Sequence, residues 1–297
     1  MYHNPVLLEK CIEGLSIDPN GIYVDVTFGG GGHSRAIFNK LENGKLIAFD
    51  QDADSLNNTI DDERFIMVNQ NFKFLKNFIR FHGFQKVDGI LADLGVSSHQ
   101  FDEADRGFST RFEARLDMRM DRKQDLDAAK ILNTYDQDEL IRIFKEYGEI
   151  KSSYKLAVTI CERREEYPLE TSVQLNEIIS EIFPKTRINK FQAMVYQALR
   201  IEVNDELGVL KSFLKQTIDV LKPGGRLVVI SYHSLEDRLV KNFIRSGNFE
   251  GKVEKDFFGQ PQLDFKTFGS KPIIPTDEEI EINNRARSAK LRIAERL

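Results

Sequence analysis

The stretch "YVDVTFGGGGHSRAIFNKL", residues 23–41, decides how the rest of the chain is read. A run rich in β-branched residues ends in an acid, four glycines follow, and a helical pattern opens at His33. Each glycine loses more conformational freedom on folding than any other residue, so a row of them is costly. An irregular turn needs one or two. A ligand lying against bare main chain accounts for more. The neighbouring segments repeat the same alternation. Strands are expected over 22–26, 45–49, 65–68 and 87–92, and helices near 33–41, 52–60 and 72–81. This predicts an α/β fold, a mostly parallel, doubly wound sheet with helices on both faces. Its ligand crevice belongs at the carboxyl ends of the strands.

The alternation stops after about residue 101. Residues 111–123 are dense in charge, and helical stripes follow. Leu140, Ile143, Phe144 and Tyr147 share one face, as do Leu175, Ile178, Ile179 and Ile182, with Pro184 as a stop. Phe191, Met194, Val195, Ala198 and Leu199 repeat the pattern. Such stripes serve core packing first. The region is too long for a loop within a compact domain, so an inserted all-helical domain is expected. The sheet pattern resumes with the helix face Leu207, Leu210, Leu214, Ile218, Leu221 and then "LKPGGRLVVISYHS". Pro223-Gly224 suits a type II turn, and a strand over 226–231 and a helix over 235–244 follow. Two last strands are expected over 263–268 and 290–294. The boundaries are 1–104 for the first part of the core, 105–203 for the insert and 204–297 for the second part.

Bulk properties exclude several classes. The chain has 297 residues, 41% hydrophobic and 30% charged, with a formal charge of −5. That is a globular composition, and the negative balance means that any nucleic-acid contact must come from local patches. No apolar run nears the roughly 20 residues of a membrane span. "MYHNPVLLEKCIEGL" has neither a basic start nor a small-residue cleavage site, so no signal peptide is expected. The two cysteines, Cys11 and Cys161, lie far apart and outside any CxxC, which fits a reducing, cytoplasmic setting.

The glycine loop lacks the third glycine of G-x-G-x-x-G. Gly29-x-Gly31 leads to Ser34, and Gly30-x-Gly32 to Arg35. A dinucleotide is thereby disfavoured, and with it the reading as an NAD-dependent oxidoreductase. Asp50, about 20 residues on at the end of the second strand, is placed to accept both hydroxyls of a ribose. S-adenosylmethionine meets these demands: a ribose and adenine, and positive groups that Asp25 and Asp93 at strand ends can answer. His33 either caps the following helix or touches the ligand.

Together "VDVTFGGGGHS", "AFDQD", "GILADLGVSSHQFD", "RGFS", "LDMRMD", "LKPGGRLVVISYHSLEDRLVK" and "RARSAKLRIAER" resemble the bacterial RsmH (MraW) family over nearly the whole chain. The resemblance implies a Rossmann-like class I methyltransferase core interrupted by a helical domain. It implies N4-methylation of a cytidine in the decoding region of 16S rRNA, with S-adenosylmethionine as cofactor and rRNA or the small ribosomal subunit as partner. It puts the cofactor at Gly31, Gly32, His33, Asp50, Phe72, Asp93 and Gln100. Phe72 either stacks on the adenine or belongs to the core.

The chemistry needs an acceptor for a poorly nucleophilic amine. Enzymes acting on exocyclic amines often carry Asp/Asn-Pro-Pro-aromatic here, whereas this chain has "DLGVSS", residues 93–98. Asp93 is expected to orient the amine and His233 to contact the base. Tyr232, Phe101 and Phe108 are candidates for a stacking face. C5 methylation needs a cysteine thiolate, and neither cysteine follows a core strand. No cluster has zinc-ligand spacing, so no catalytic metal is expected. Arg111, Arg115, Arg119 and Arg122, spaced 4, 4 and 3 apart, share one face if the segment is helical and are then placed to meet RNA phosphates. Arg285, Arg287, Lys290 and Arg292 extend that basic track. A non-catalytic assembly factor that keeps the cofactor pocket stays open, as does the oligomeric state, a homodimer included.

Overall fold

A computed structural model describes residues 5–297; residues 1–4, which begin the segment read for a signal peptide, lie outside it. The chain forms two compact units, one of residues up to Gly95 together with Leu207–Leu297, the other Val96–Glu206. The expected insert, 105–203, falls within the second. No helix among the described residues is long and apolar enough to cross a membrane.

The first unit is a seven-stranded sheet in the order β3-β2-β1-β4-β5-β7-β6. The strands are β1 (Ile22–Asp25), β2 (Lys45–Phe49), β3 (Phe65–Val68), β4 (Val87–Asp93), β5 (Leu221–Ser231), β6 (Phe265–Thr267) and β7 (Lys290–Arg296). β1 to β5 pair in parallel, and β7 is antiparallel to both β5 and β6. This is the Rossmann-like class I core. Side chains alternate across the pleat. Val24, Ile47, Phe49, Ile90 and Val229 therefore pack on one face, against Leu75, Ile79, Leu210, Phe213 and Val240 of helices. Tyr23, Leu46, Ala48, Leu91 and Val228 fill the other, against Cys11, Leu15 and Ile37.

Three local readings change. The expected helix over 52–60 is a short 3-10 helix, Ala53–Asn58, started by the Asp52 side chain accepting from Asp54 N–H. It is polar and has no apolar stripe to hold a longer helix. The expected helix over 72–81 begins as a 3-10 turn, Phe72–Phe74, before Leu75–Phe81. β5 starts before the Pro-Gly turn because Leu221 already pairs with Val87; the register jumps to Gly89–Arg226, so the turn is a bulge inside the strand. Gly224 has φ 82 there, a left-handed angle that glycine adopts without strain.

The second unit buries the predicted stripes. Leu140, Ile143 and Phe144 lie on helix Gln137–Glu146, Leu175, Ile178 and Ile179 on Ser172–Ile182, and Val195, Ala198 and Leu199 on Ile188–Asn204. Residues 111–123 are not helical. Arg115 bridges to Thr171, Met118 has φ 59, and Leu116 and Met118 both point into the core. The shared arginine face therefore does not form. Arg119 grips Asp117 with two nitrogens, at 2.9 and 2.7 Å, Arg115 pairs with Asp127 at 2.8 Å, and Arg122 with Asp105 at 3.1 Å.

Arg106, 1% exposed, holds this segment from beneath, its guanidinium donating to the Arg119 and Met120 carbonyls at 3.0 and 3.3 Å. Arg106→Met is expected to strip both acceptors of that donor. The cost is about 1–3 kcal/mol, read as a fall of several degrees in melting temperature. An unchanged midpoint would mean that the segment is held by other contacts.

Candidate active site

β1, β2, β4 and β5 end at the same sheet edge, and the strand order reverses between β1 and β4. Ligand crevices form at such a reversal. Asp25 closes β1 and is fully buried. It accepts from Ser34 Oγ at 2.7 Å, Thr27 N at 3.0 Å and Thr27 Oγ1 at 3.3 Å. Burial pushes its carboxyl up, and these donors pull it back. Its acceptor capacity goes into fixing the glycine loop to helix Gly32–Phe38. Thr27 Oγ1 also accepts from the Asp93 N–H at 2.7 Å, which ties that loop to the end of β4.

Asp50 follows β2 and reaches back to the loop. Oδ2 accepts from Gly29 N at 2.7 Å and Oδ1 from Asp52 N at 2.9 Å. Burial raises its pKa to about 7, against the pull of those two N–H groups. Gly31 caps the helix with φ 77, and a Cβ there would stand 3.0 Å from the Phe28 ring. A side chain at Gly31 therefore strains the loop before any ligand is considered. At Gly32 a Cβ would meet Pro5 Cγ at 2.3 Å.

His33 is not the helix cap. Its buried ring places Nε2 3.0 Å from the Val6 carbonyl and Nδ1 3.6 Å from Asp93 Oδ2. A carbonyl only accepts, so Nε2 carries the proton. Asp93 receives a hydrogen bond at Oδ1 from the Tyr232 hydroxyl, 2.7 Å away. Burial raises the Asp93 carboxyl, while His33 and Tyr232 lower it. The Tyr232 phenol is pushed well above its ordinary range by burial and by Asp93, so it stays a donor.

His233 takes another role from the one expected. It is the N-cap of helix Ser234–Ser246, with Nδ1 accepting from Glu236 N at 3.4 Å and Nε2 3.2 Å from Glu236 Oε1. Its side chain is 8% exposed, and the cap commits Nδ1 while Nε2 makes no hydrogen bond among the described residues. Glu236 Oε2 also accepts from Tyr232 N at 2.9 Å, so the pair positions Tyr232. Tyr232 in turn gives its hydroxyl to Asp93, a bond no spacing in the sequence announces. The signal lies in topology: β4 and β5 are neighbours, with Asp93 opposite Ile230, so the residue after β5 reaches Asp93.

Phe72 stands edge-on to Phe213, ring centroids 5.3 Å apart, and is half-buried, so it joins the core while part of its surface stays open. In the second unit Gln100 is buried and closes a capping box, its side chain accepting from Ser97 N at 3.1 Å. Phe108 is buried in that unit's core, which removes it as an exposed stacking face, while Phe101 is half-buried against the same core.

A profile of the MraW methylase family matches residues 1–297. The chain belongs to that family. It is 60% identical over 297 residues to a protein of Flavobacterium johnsoniae called ribosomal RNA small subunit methyltransferase H, covering 100% of this chain and 98% of that one. Relatives of the same name from Christiangramia forsetii and Parabacteroides distasonis are 57% and 56% identical, each match covering 100% of this chain and 98% of the relative.

For a chain of the MraW methylase family, the state of its cysteines bears on the chemistry. Cys11 is fully buried on the first helix, and burial together with the charges of Asp93 and Asp25 pushes its thiol up. A thiol held protonated is a poor nucleophile. The site therefore offers a carboxylate acceptor, a phenol donor and bare loop backbone, with the neighbouring Cys11 held as a thiol.

Proposed function

We propose that this chain methylates N4 of a cytidine in the decoding (P-site) region of 16S small-subunit rRNA, with S-adenosylmethionine as methyl donor. The observation that carries the reading is Asp93, a carboxylate at the reversal of strand order with Oδ1 fixed by Tyr232 and Oδ2 3.6 Å from His33 Nδ1, beyond hydrogen-bond range. The relatives' shared name supports rRNA of the small subunit as the substrate class. The nucleotide and the atom come from the family resemblance.

The residues fit the cofactor. Each Asp50 oxygen takes one main-chain donor and has a lone pair left, enough for two ribose hydroxyls. Burial raises its pKa, and ribose hydroxyls would add to the two donors that lower it. When bound, the cofactor supplies an electrophilic methyl group beside a cationic sulfur. The chain supplies orientation. Asp93 Oδ2 accepts an N–H of the cytosine amine and turns the nitrogen lone pair toward the methyl. Tyr232 keeps Oδ1 occupied, so the carboxylate presents one oxygen. Asp93 or water would take the proton that the methylated nitrogen sheds. His33 holds its place through Val6 and adds a polar neighbour at 3.6 Å. Gly31, Gly32, Phe72 and Gln100 remain proposed cofactor contacts.

Mass spectrometry of small-subunit rRNA from cells with and without the gene tests the reading. One N4-methylcytidine is expected to disappear on deletion, to return with the wild-type gene, and to stay absent with Asp93→Ala. Retention of every methyl group in the deletion strain would refute it. Restoration by Asp93→Ala would favour a non-catalytic assembly role.

A further inference from the structure

Beside the site, within the sheet unit, lies a cavity of about 250 Å³ between the end of β5, the segment around Ile274 and the start of β7. We infer that it seats the sugar-phosphate unit next to the methylated nucleotide, with Arg287 as its phosphate contact. This rests on the reading of the site as an RNA methyltransferase centre.

Four observations lead there. The cavity is smaller than the roughly 300–1,000 Å³ that encloses drug-sized ligands, so it suits a link of a strand rather than a second cofactor. Its polar lining is Arg287, Lys290, Ser234, Ser288, Tyr232 and His233, cations and hydroxyls with one imidazole and no carboxylate. Arg287 is exposed and has no hydrogen-bond or ion-pair partner among the described residues. Lys290 Nζ stands 3.7 Å from Asp237, but that carboxylate is already gripped by Arg292 at 2.6 and 3.2 Å, so the Lys290 charge is only partly answered.

The carboxylates in the same helix turn do not oppose an anion. Asp237 faces Arg292, and Glu236 faces His233 and the Tyr232 N–H. The first turn of helix Ser234–Ser246 also carries the positive end of its dipole. Ile274 and Pro275 give the cavity an apolar wall against which a ribose can lie. The decisive point is continuity. Tyr232 lines the cavity, and its hydroxyl is bonded to Asp93. A strand whose base presents its amine to Asp93 has its neighbouring link within reach of this cavity. Of the basic tail set, Arg292 is occupied and only 9% exposed, and Arg285 already has a partner, which leaves Arg287 and Lys290 for RNA.

The test uses the full-length protein and a short RNA carrying the target cytidine, with binding followed by fluorescence anisotropy and turnover by methyl transfer. Arg287→Gln is expected to raise Kd and KM roughly 3- to 10-fold and to reduce the slope of log Kd against log[salt] by about 0.7, one single-strand phosphate contact. Arg287→Glu should go further, and cofactor affinity should hold in both. An RNA in which one phosphodiester beside the target is a neutral methylphosphonate should bind wild type more weakly, yet lose little further affinity to Arg287→Gln. An unchanged salt slope in Arg287→Gln, or additive losses at every neutralised link, overturns the inference. Binding is read independently of turnover. Wild type that binds this RNA without methylating it would therefore sink the functional reading while the Arg287 comparison still decides the cavity.

Discussion

Asp93→Ala is expected to lower the methylation rate by on the order of 10²–10³-fold, as removal of a preorganised group facing developing charge does elsewhere. Asp93→Asn should fall nearly as far, because its amide cannot both accept from Tyr232 and accept from the amine when its nitrogen faces either one. Tyr232→Phe should cost less, roughly 2- to 10-fold, the net worth of one ordinary hydrogen bond of about 0.5–1.5 kcal/mol. A pH profile separates orientation from mere structure. Asp93 must be ionised for both oxygens to serve as acceptors, and its carboxyl is held above the usual range by burial, against the pull of His33 and Tyr232. Activity should therefore fall on the acid side at a higher pH than an ordinary carboxylate would give. Tyr232→Phe removes one of the groups that lower that pKa, so its acid limb should move higher still. An unshifted limb in Tyr232→Phe, or wild-type turnover in Asp93→Ala, would remove Asp93 from the chemistry.

Where each part of this site could be read in advance depends on how local its cause is. β2 and β3 have the bounds expected of them, because each is a short apolar run between polar turns and its burial is set by its own side chains. Asp50 and Asp93 were legible for the same reason: the end of a core strand is the edge of the sheet. The segment from Arg111 to Arg122 misled. Its arginines recur at helical spacing, but Leu116, Met118 and Met120 alternate, and the alternation won, since two of those three side chains are wholly buried. An extended segment then brings Asp117 against Arg119, and the charges neutralise locally. His233 misled through a different route. A histidine after a core strand can meet substrate or cap the next helix, and Glu236 three residues on, the partner of a capping box, was the sign that it caps. The Tyr232–Asp93 bond was hidden because it joins residues on two strands whose adjacency appears only once the sheet order is known.

Asp50→Ala is expected to weaken S-adenosylmethionine binding by about 10- to 150-fold, the loss of hydrogen bonds to a charged group worth about 1.5–3 kcal/mol. The pH dependence gives a sharper test than the loss alone. The pKa of Asp50 is about 7 in the folded protein against 3.8 ordinarily, so near neutrality the carboxyl is only partly ionised. Ribose hydroxyls donate to the ionised form. Wild-type affinity should then be level above pH 7 and fall toward about tenfold per unit below it. Stability of the free protein runs the other way. A folded pKa raised above the unfolded one means a contribution that is full below the unfolded value of 3.8 and is lost as pH rises through about 7. Acidification across that window should thus raise the contribution of Asp50 to the melting temperature while it weakens cofactor binding. Both trends should vanish in Asp50→Ala. Asp50→Asn should also bind weakly at every pH, since an amide oxygen and an NH₂ cannot accept from Gly29 N and Asp52 N on both sides as the carboxylate does. Calorimetric titration of wild type and both variants from pH 5.5 to 8.5 reads the affinity, and thermal unfolding over the same range reads the stability. If wild type and Asp50→Ala share one affinity profile, the carboxylate at the end of β2 serves only to hold Gly29 and Asp52, and the ribose is bound elsewhere.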